Sequence, residues 1–123
     1  MRFQTSPHEA YRRVDFDARV NGAKPAELVH VCYEHLVGAL GTAIHAQRHG
    51  DNDLKSRSMT RAMTAITALQ MGVSSDQGVG SALNQFYSAA RRQILDAAIN
   101  FDVDKMEVLR NDFDEIGKAM QQA

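Results

Sequence analysis

The spacing of the apolar residues constrains the fold of this chain most strongly, because they recur three and four positions apart over long stretches. One such stretch contains Leu28, Val31, Leu36, Leu40 and Ile44. Residues at this spacing share one face of an α-helix. No stretch alternates convincingly between apolar and polar residues with period 2, which is the pattern of a half-buried strand. The chain is therefore predicted to be all-α.

Capping and breaking residues divide this pattern into five predicted helices. Ser6 and Pro7, followed by Glu9, form a capping-box pattern at a helix start, and Pro25 opens the next helix. The predicted ranges are about 7–19 for a short first helix and about 25–49, 53–71, 80–101 and 103–120 for four longer ones. Four long amphipathic helices with short connections predict a single domain, an antiparallel four-helix bundle to which the short N-terminal helix is added.

Net charge, apolar runs and cysteine content disfavour several classes of protein. The net charge of −1 lacks the basic excess of a nucleic-acid-binding domain. No apolar run approaches the roughly 20 residues that span a bilayer, and the N-terminus lacks the apolar core of a signal peptide. A single cysteine, Cys32, excludes an intramolecular disulfide and fits a reducing compartment. We therefore expect a cytoplasmic protein without nucleic-acid binding or membrane insertion.

Two pairs of residues have the spacing of metal ligands. Glu27 and His30 form the E-x-x-H pair of di-iron bundles, but no second such pair completes the site. His45 and His49 are four residues apart and could clamp a metal on one helix face. They also lie in the last turns of the predicted helix, where a cation complements the helix dipole. The interpretation without a metal needs no further ligands, so neither a metal site nor a cofactor is predicted.

Cys32 and His35 are three residues apart, the spacing of a thiolate–imidazole pair on one helix face. Cys32 falls within the apolar stripe, however, where a free cysteine behaves as a small hydrophobic residue. No catalytic set converges elsewhere, so the chain is predicted not to be an enzyme. Met59, Met63 and Met71 cluster around the third predicted helix, where flexible side chains favour an adaptable groove, although core packing explains each methionine singly.

The order and spacing of several residues resemble the flagellin-specific export chaperones, the FliS family. The second predicted helix carries the family's opening pattern, Pro25-x-x-Leu28 followed by Tyr33-Glu34 and Ala43, and ends at Gly50-Asp51. Similarity continues over the next two predicted helices, so that it spans about residues 20–102. The matching positions there are Arg61, Ala62, Ile66, Leu69, Leu83, Phe86, Tyr87, Arg92, Ile94, Ala97 and Asp102.

This resemblance implies a cytoplasmic chaperone that binds the disordered C-terminal segment of flagellin by helix-in-groove recognition. Such binding prevents premature polymerisation and aids type III flagellar export, with an export-gate component as a further partner. The expected client-binding residues flank the surfaces of the second, third and fourth predicted helices: Leu28, Val31, Leu36, Met59, Met63, Ile66, Tyr87 and Ile94. The first helix, with Tyr11 and Val14, is expected to cover the empty groove until the client displaces it.

Two other functions stay open on the sequence alone. The first is a helical adaptor or regulator that binds a protein other than flagellin. The second is a bundle enzyme or metal protein that uses Glu27, His30 and Glu34. Exposed apolar surface would also favour weak homodimers when no client is bound.

Overall fold

A computed structural model describes residues 12, 16, 19, 22, 25–73 and 79–122 of the chain. Every regular element among them is an α-helix, so the predicted all-α bundle is confirmed. The four long helices are α1 (Pro25–Arg48), α2 (Asn52–Met71), α3 (Val79–Ala97) and α4 (Val103–Gln122).

Local sequence explains where these helices begin and end. Pro25 is the first residue of α1, where its missing amide hydrogen is no loss. Gly50 follows α1 with φ of 71°, a conformation that glycine adopts without steric cost. The Asp51 carboxylate then caps α2 by accepting a 3.0 Å hydrogen bond from the Leu54 amide. These residues turn the chain sharply between α1 and α2.

Helix α3, which corresponds to the fourth predicted helix, ends at Ala97 and not at the predicted position 101. The amide of Ala98 bonds back to Leu95 at 3.1 Å, and the amide of Ile99 bonds back to Asp96 at the same distance. Such bonds over three residues tighten the last turn of a helix. Asp102 accepts a 3.2 Å hydrogen bond from the Lys105 amide, and an N-cap residue needs a non-helical backbone. The cap of α4 therefore stops α3 before its apolar pattern ends.

The longest helix, α1, packs against both α2 and α4, while α3 packs against α2. Alanines are prominent among the buried residues of α1 and α2, and Ala39, Ala43, Ala62 and Ala65 are fully buried. Small side chains let two helices approach closely. Large residues, including Leu36, Leu40 and Ile66, fill the remaining core.

Contacts between α1 and α4 show that these helices are antiparallel. Tyr33 lies beside Gly117, Gly41 beside Arg110, and the Arg48 guanidinium pairs with the Glu107 carboxylate. Residue numbers thus rise along α1 as they fall along α4. The same order relates α2 to α3, since Gln70 donates a 3.0 Å hydrogen bond to the Ser88 hydroxyl and Lys55 lies near Phe101.

An aromatic cluster joins α1, α3 and α4. The ring of Phe113 lies 5.3 Å from Tyr33 and 4.8 Å from Phe86, measured between centroids. The hydroxyl groups of Tyr33 and Tyr87 are hydrogen-bonded at 2.9 Å inside this cluster. Each hydroxyl thereby finds a polar partner despite burial, as buried tyrosines usually do.

The described residues of the N-terminal segment are Arg12, Phe16, Arg19 and Gly22, and each is helical. The first helix was predicted to span about residues 7–19, yet Gly22, beyond that range, is also helical. Glycine ends a helix readily where φ is positive, and Gly50 is the only described residue with that conformation.

Candidate peptide-binding groove

An open apolar groove, which we call the α2/α3 groove, runs between α2 and α3 and has a volume of about 330 Å³. Met59 and Met63 line it from α2, and Ile94, Leu95 and Phe101 line it from the opposite side. Lys55, Ser56 and Thr60 complete the α2 wall, and Ala97 and Ala98 complete the other. Leu95 is half exposed although it is apolar, so this groove offers surface that a peptide could bury.

Side-chain size explains why this space stays open. Ala97 and Ala98 stand where α3 ends, and Ser56 and Thr60 occupy the facing turns of α2. None of these four side chains is long enough to fill the gap between two helices. Met59 and Met63 also line this space, and their flexible thioether side chains adapt to differently shaped apolar ligands.

Lys55 gives the groove its only charged lining residue. Its ammonium group donates a 2.8 Å hydrogen bond to the Gln47 side-chain oxygen and lies 5.4 Å from the centroid of the Phe101 ring. Among the described residues, no carboxylate comes within ion-pair distance of Lys55. The groove therefore ends in a half-buried cation that has a neutral oxygen and an aromatic face as partners.

The structure brings three of the eight residues expected to bind a client to this groove, namely Met59, Met63 and Ile94. The other five lie elsewhere. Leu36, Ile66 and Tyr87 are buried deep in the core, and Val31 is buried at its edge. Leu28 is half-buried and packs against the same core.

A second cavity, of about 430 Å³, lies between the beginning of α1 and the end of α4. Glu27, His30, Tyr33 and Gln121 are among the residues that line it. The His30 ring nitrogen lies 3.1 Å from the Glu34 carboxylate and 3.0 Å from the Gln121 amide nitrogen. His30 thus has partners of its own, and the residues that the structure describes contain no group of three or more histidine, cysteine or acidic side chains able to hold a metal.

Three of the described N-terminal residues, Arg12, Phe16 and Arg19, contact residues of α1. The Phe16 ring stacks on His35 at 3.9 Å between centroids and is only 8% exposed. The Arg19 guanidinium donates a 2.9 Å hydrogen bond to the Glu34 carboxylate, which lowers the pKa of Glu34.

Residues 16 and 19 are three apart, so both side chains can lie on one helix face. Tyr11 and Val14, the residues expected to cover the groove, lie outside the described residues. The contact of Phe16 with α1 was not predicted. Its only signal in the sequence is one bulky apolar residue that shares a helical face with Arg12 and Arg19.

The structure also shows the surroundings of Cys32 and of the pair His45 and His49, which were considered as reactive or metal-binding residues. Cys32 is 1% exposed and burial raises the pKa of its thiol, which disfavours the reactive thiolate. The rings of His45 and His49 lie 4.1 Å apart, and the Nδ1 atom of His49 is 2.8 Å from the carbonyl oxygen of His45.

The fold and the groove define an all-helical bundle protein with an open apolar groove on its surface. Among the described helices, none is long and apolar enough to cross a membrane. The family model described as "Flagellar protein FliS" matches residues 7–123, nearly the whole chain. The chain therefore belongs to the FliS family, which is a family of flagellar export chaperones and not of enzymes. A search of curated proteins found no match.

Proposed function

We propose that this chain is a cytoplasmic chaperone that binds the disordered C-terminal segment of flagellin. Binding keeps flagellin subunits from polymerising early and aids their delivery to the type III export gate, a component of which is a further proposed partner. The observation that carries this proposal is the match to the FliS family over residues 7–123. An open apolar groove with methionines in its wall is the surface that such a function requires.

The α2/α3 groove is the proposed site of first contact. A disordered segment that folds on binding loses conformational entropy, which burial of apolar side chains must offset. Met59, Met63 and Leu95 supply apolar surface without any separation of the helices. The deeper residues of the expected set, Val31, Leu36, Ile66 and Tyr87, support the helices that form the groove, and Leu28 lies nearer the surface. We propose that these five act on client binding through the position of the helices.

We also propose that the N-terminal segment, including Tyr11 and Val14, covers client-binding surface in the free protein. Phe16 is buried against His35 on α1, which does not line the α2/α3 groove, so this contact supports cover of client-binding surface on α1 in addition to that groove. Deleting residues 1–18 is then expected to leave the affinity for the client equal or higher. A large loss of affinity would instead make this segment a part of the binding surface.

Calorimetric titration of the purified protein with a C-terminal flagellin segment from the same organism tests the proposal. The expected result is saturable one-to-one binding with a large negative heat-capacity change, because apolar surface becomes buried. A scrambled segment of equal composition is the control and should not bind. If a soluble flagellin segment fails to bind the folded protein at tens of micromolar, flagellin is not the client, and a helical adaptor for another protein becomes the better account.

Self-association would use a different surface from the groove. Ile99 and Val108 are exposed apolar residues outside the groove lining, and Ile99 is almost completely exposed. We propose that such residues support a weak homodimer, which sedimentation at several protein concentrations would detect. Client binding in the α2/α3 groove does not require this dimer.

A further inference from the structure

Lys55 and Arg91, two basic residues beside the α2/α3 groove, lack acidic partners in the described part of the chain, whereas several basic residues elsewhere have one. Arg48 pairs with Glu107, Lys118 with Asp114 and Arg19 with Glu34 on the remaining surface. Among the described residues, neither Lys55 at the end of the groove nor Arg91 on α3 has a carboxylate within ion-pair distance. The positive charge of the groove is therefore available to a ligand.

Arg91 belongs to the groove side of α3 by helical geometry. It precedes Leu95 by four residues and Ala98 by seven, so these residues share one face of the helix. Arg92 is rotated by about 100° from Arg91 around the helix axis and lies away from that face. Both arginines are exposed. A peptide lying in the groove would thus have Lys55 of α2 near one end. Arg91 of α3 would lie farther along the groove.

Asp53 and Asp102, two of the acidic residues near the groove in sequence, are already engaged, whereas the exposed Asp96 forms no ion pair among the described residues but does not line the groove. The Asp53 carboxylate pairs with Arg57 at 2.8 Å, one turn along α2. The Asp102 carboxylate accepts the Lys105 amide as the cap of α4. None of the residues that line the groove is acidic. Nothing in the described structure neutralises Lys55, and its aliphatic stem and half-buried position reduce its contact with water.

We propose that the groove selects amphipathic segments with a carboxylate beside their apolar residues, and that Lys55 binds this carboxylate. The inference rests on the proposed function, since it assumes that a client segment occupies this groove. The apolar residues of the segment would cover Met59, Met63 and Leu95 while its carboxylate accepts a hydrogen bond from the Lys55 ammonium. A charge-assisted hydrogen bond of this kind is stronger than a neutral one and fixes the register of the segment.

Two designed peptides test this charge selectivity without flagellin. Both have about 18 residues, or five turns of helix, and the same apolar face, but one carries glutamate and the other glutamine beside it. We expect the wild-type protein to bind the glutamate peptide about tenfold more tightly, as one charge-assisted hydrogen bond allows. Lys55→Gln should reduce this ratio to about one, whereas Lys55→Arg should retain most of it.

Lys118→Gln is the matched control, because it removes the same charge from α4, outside the groove. It should leave the ratio at about tenfold. Arg91→Gln should lower the ratio more than Arg92→Gln, since only Arg91 lies on the groove side. Circular dichroism of each variant checks that the helices are intact. Equal affinities for the two peptides, a ratio unchanged in Lys55→Gln, or no binding of either peptide would overturn the proposal.

Titration with the flagellin segment separates this inference from the proposed function. A segment that binds the wild-type protein and Lys55→Gln equally well supports the chaperone proposal and overturns charge selectivity by Lys55. The opposite result is that Lys55 distinguishes the glutamate peptide from the glutamine peptide while the flagellin segment fails to bind. This result would support selectivity for acidic segments and exclude flagellin as the client.

Discussion

Removing one hydroxyl from the Tyr33–Tyr87 pair tests how strongly the aromatic cluster holds the bundle together. The two hydroxyl groups share a 2.9 Å hydrogen bond, and each tyrosine is only 2% exposed. Tyr33→Phe leaves the Tyr87 hydroxyl buried without this partner, which costs about 1–3 kcal/mol of stability. Tyr87→Phe should cost a similar amount of stability, because it leaves the Tyr33 hydroxyl buried without its partner. For a chain of this size, each kcal/mol lowers the melting temperature by roughly 3–5 °C.

The double variant gives the sharper result. When both hydroxyls are absent, no buried polar group is left unpaired, so the loss should be about 1 kcal/mol or less. Urea unfolding followed by circular dichroism measures all three variants against the wild-type protein. The two single losses should sum to clearly more than the double loss, which measures the coupling between the residues. Additive single losses, or single losses within error of zero, would refute this reasoning.

The same pair predicts how stability depends on alkaline pH. Burial is the main cause that raises the pKa of both Tyr33 and Tyr87 above the ordinary value of 10.0. The unfolded chain therefore loses these protons near pH 10 while the folded protein keeps them. Stability should be unaffected by this pair below about pH 10 and should fall as the pH rises further. Urea midpoints across this range should fall less steeply for the double phenylalanine variant.

Four further predictions concern individual residues. Gly38→Ala should stabilise α1 by about 0.5–1 kcal/mol, because no described atom lies within 4 Å of the added methyl group. Gly117→Ala should instead destabilise by about 1 kcal/mol in the same urea assay, since its methyl group would lie 3.2 Å from the Tyr33 ring, which the hydrogen bond to Tyr87 holds in place. Phe16→Ala should speed trypsin cleavage after Arg19, as followed by mass spectrometry, because the contact with His35 is lost; an unchanged rate would contradict an anchoring role. Cys32 should react with a thiol reagent at least about tenfold more slowly in the folded protein than in urea, and equal rates would contradict its burial.

The helices were predictable because their signals are local. Pro25, Asp51 and Asp102 act on the backbone within a few residues of themselves, so their capping roles can be read without knowledge of the fold. The end of α3 was less predictable, since the apolar pattern continues to Phe101 beyond the last helical residue, Ala97. A competing cap overrides periodicity there, and its strength cannot be judged from spacing alone.

The groove was only partly predictable, because apolar periodicity marks core residues and binding residues alike. Met63 and Leu36 both belong to apolar stripes, yet only Met63 lines the α2/α3 groove. What distinguishes them is the size of the side chains on the neighbouring helix, which depends on the register of packing. Lys55 had no sequence signal at all, since a single lysine in a helix is normally a solvated residue.

Nuclear magnetic resonance of methionine methyl groups tests the central claim, that this FliS-family chain holds a flagellin segment in the α2/α3 groove. Met59 and Met63 line the groove, whereas Met106 is buried on α4 and Met120 lies near the end of that helix. Titration with the C-terminal flagellin segment should shift the signals of Met59 and Met63 to saturation at one equivalent and leave Met106 nearly unchanged. Binding that shifts Met120 while Met59 and Met63 stay unchanged would contradict the account and move the site to the cavity between α1 and α4.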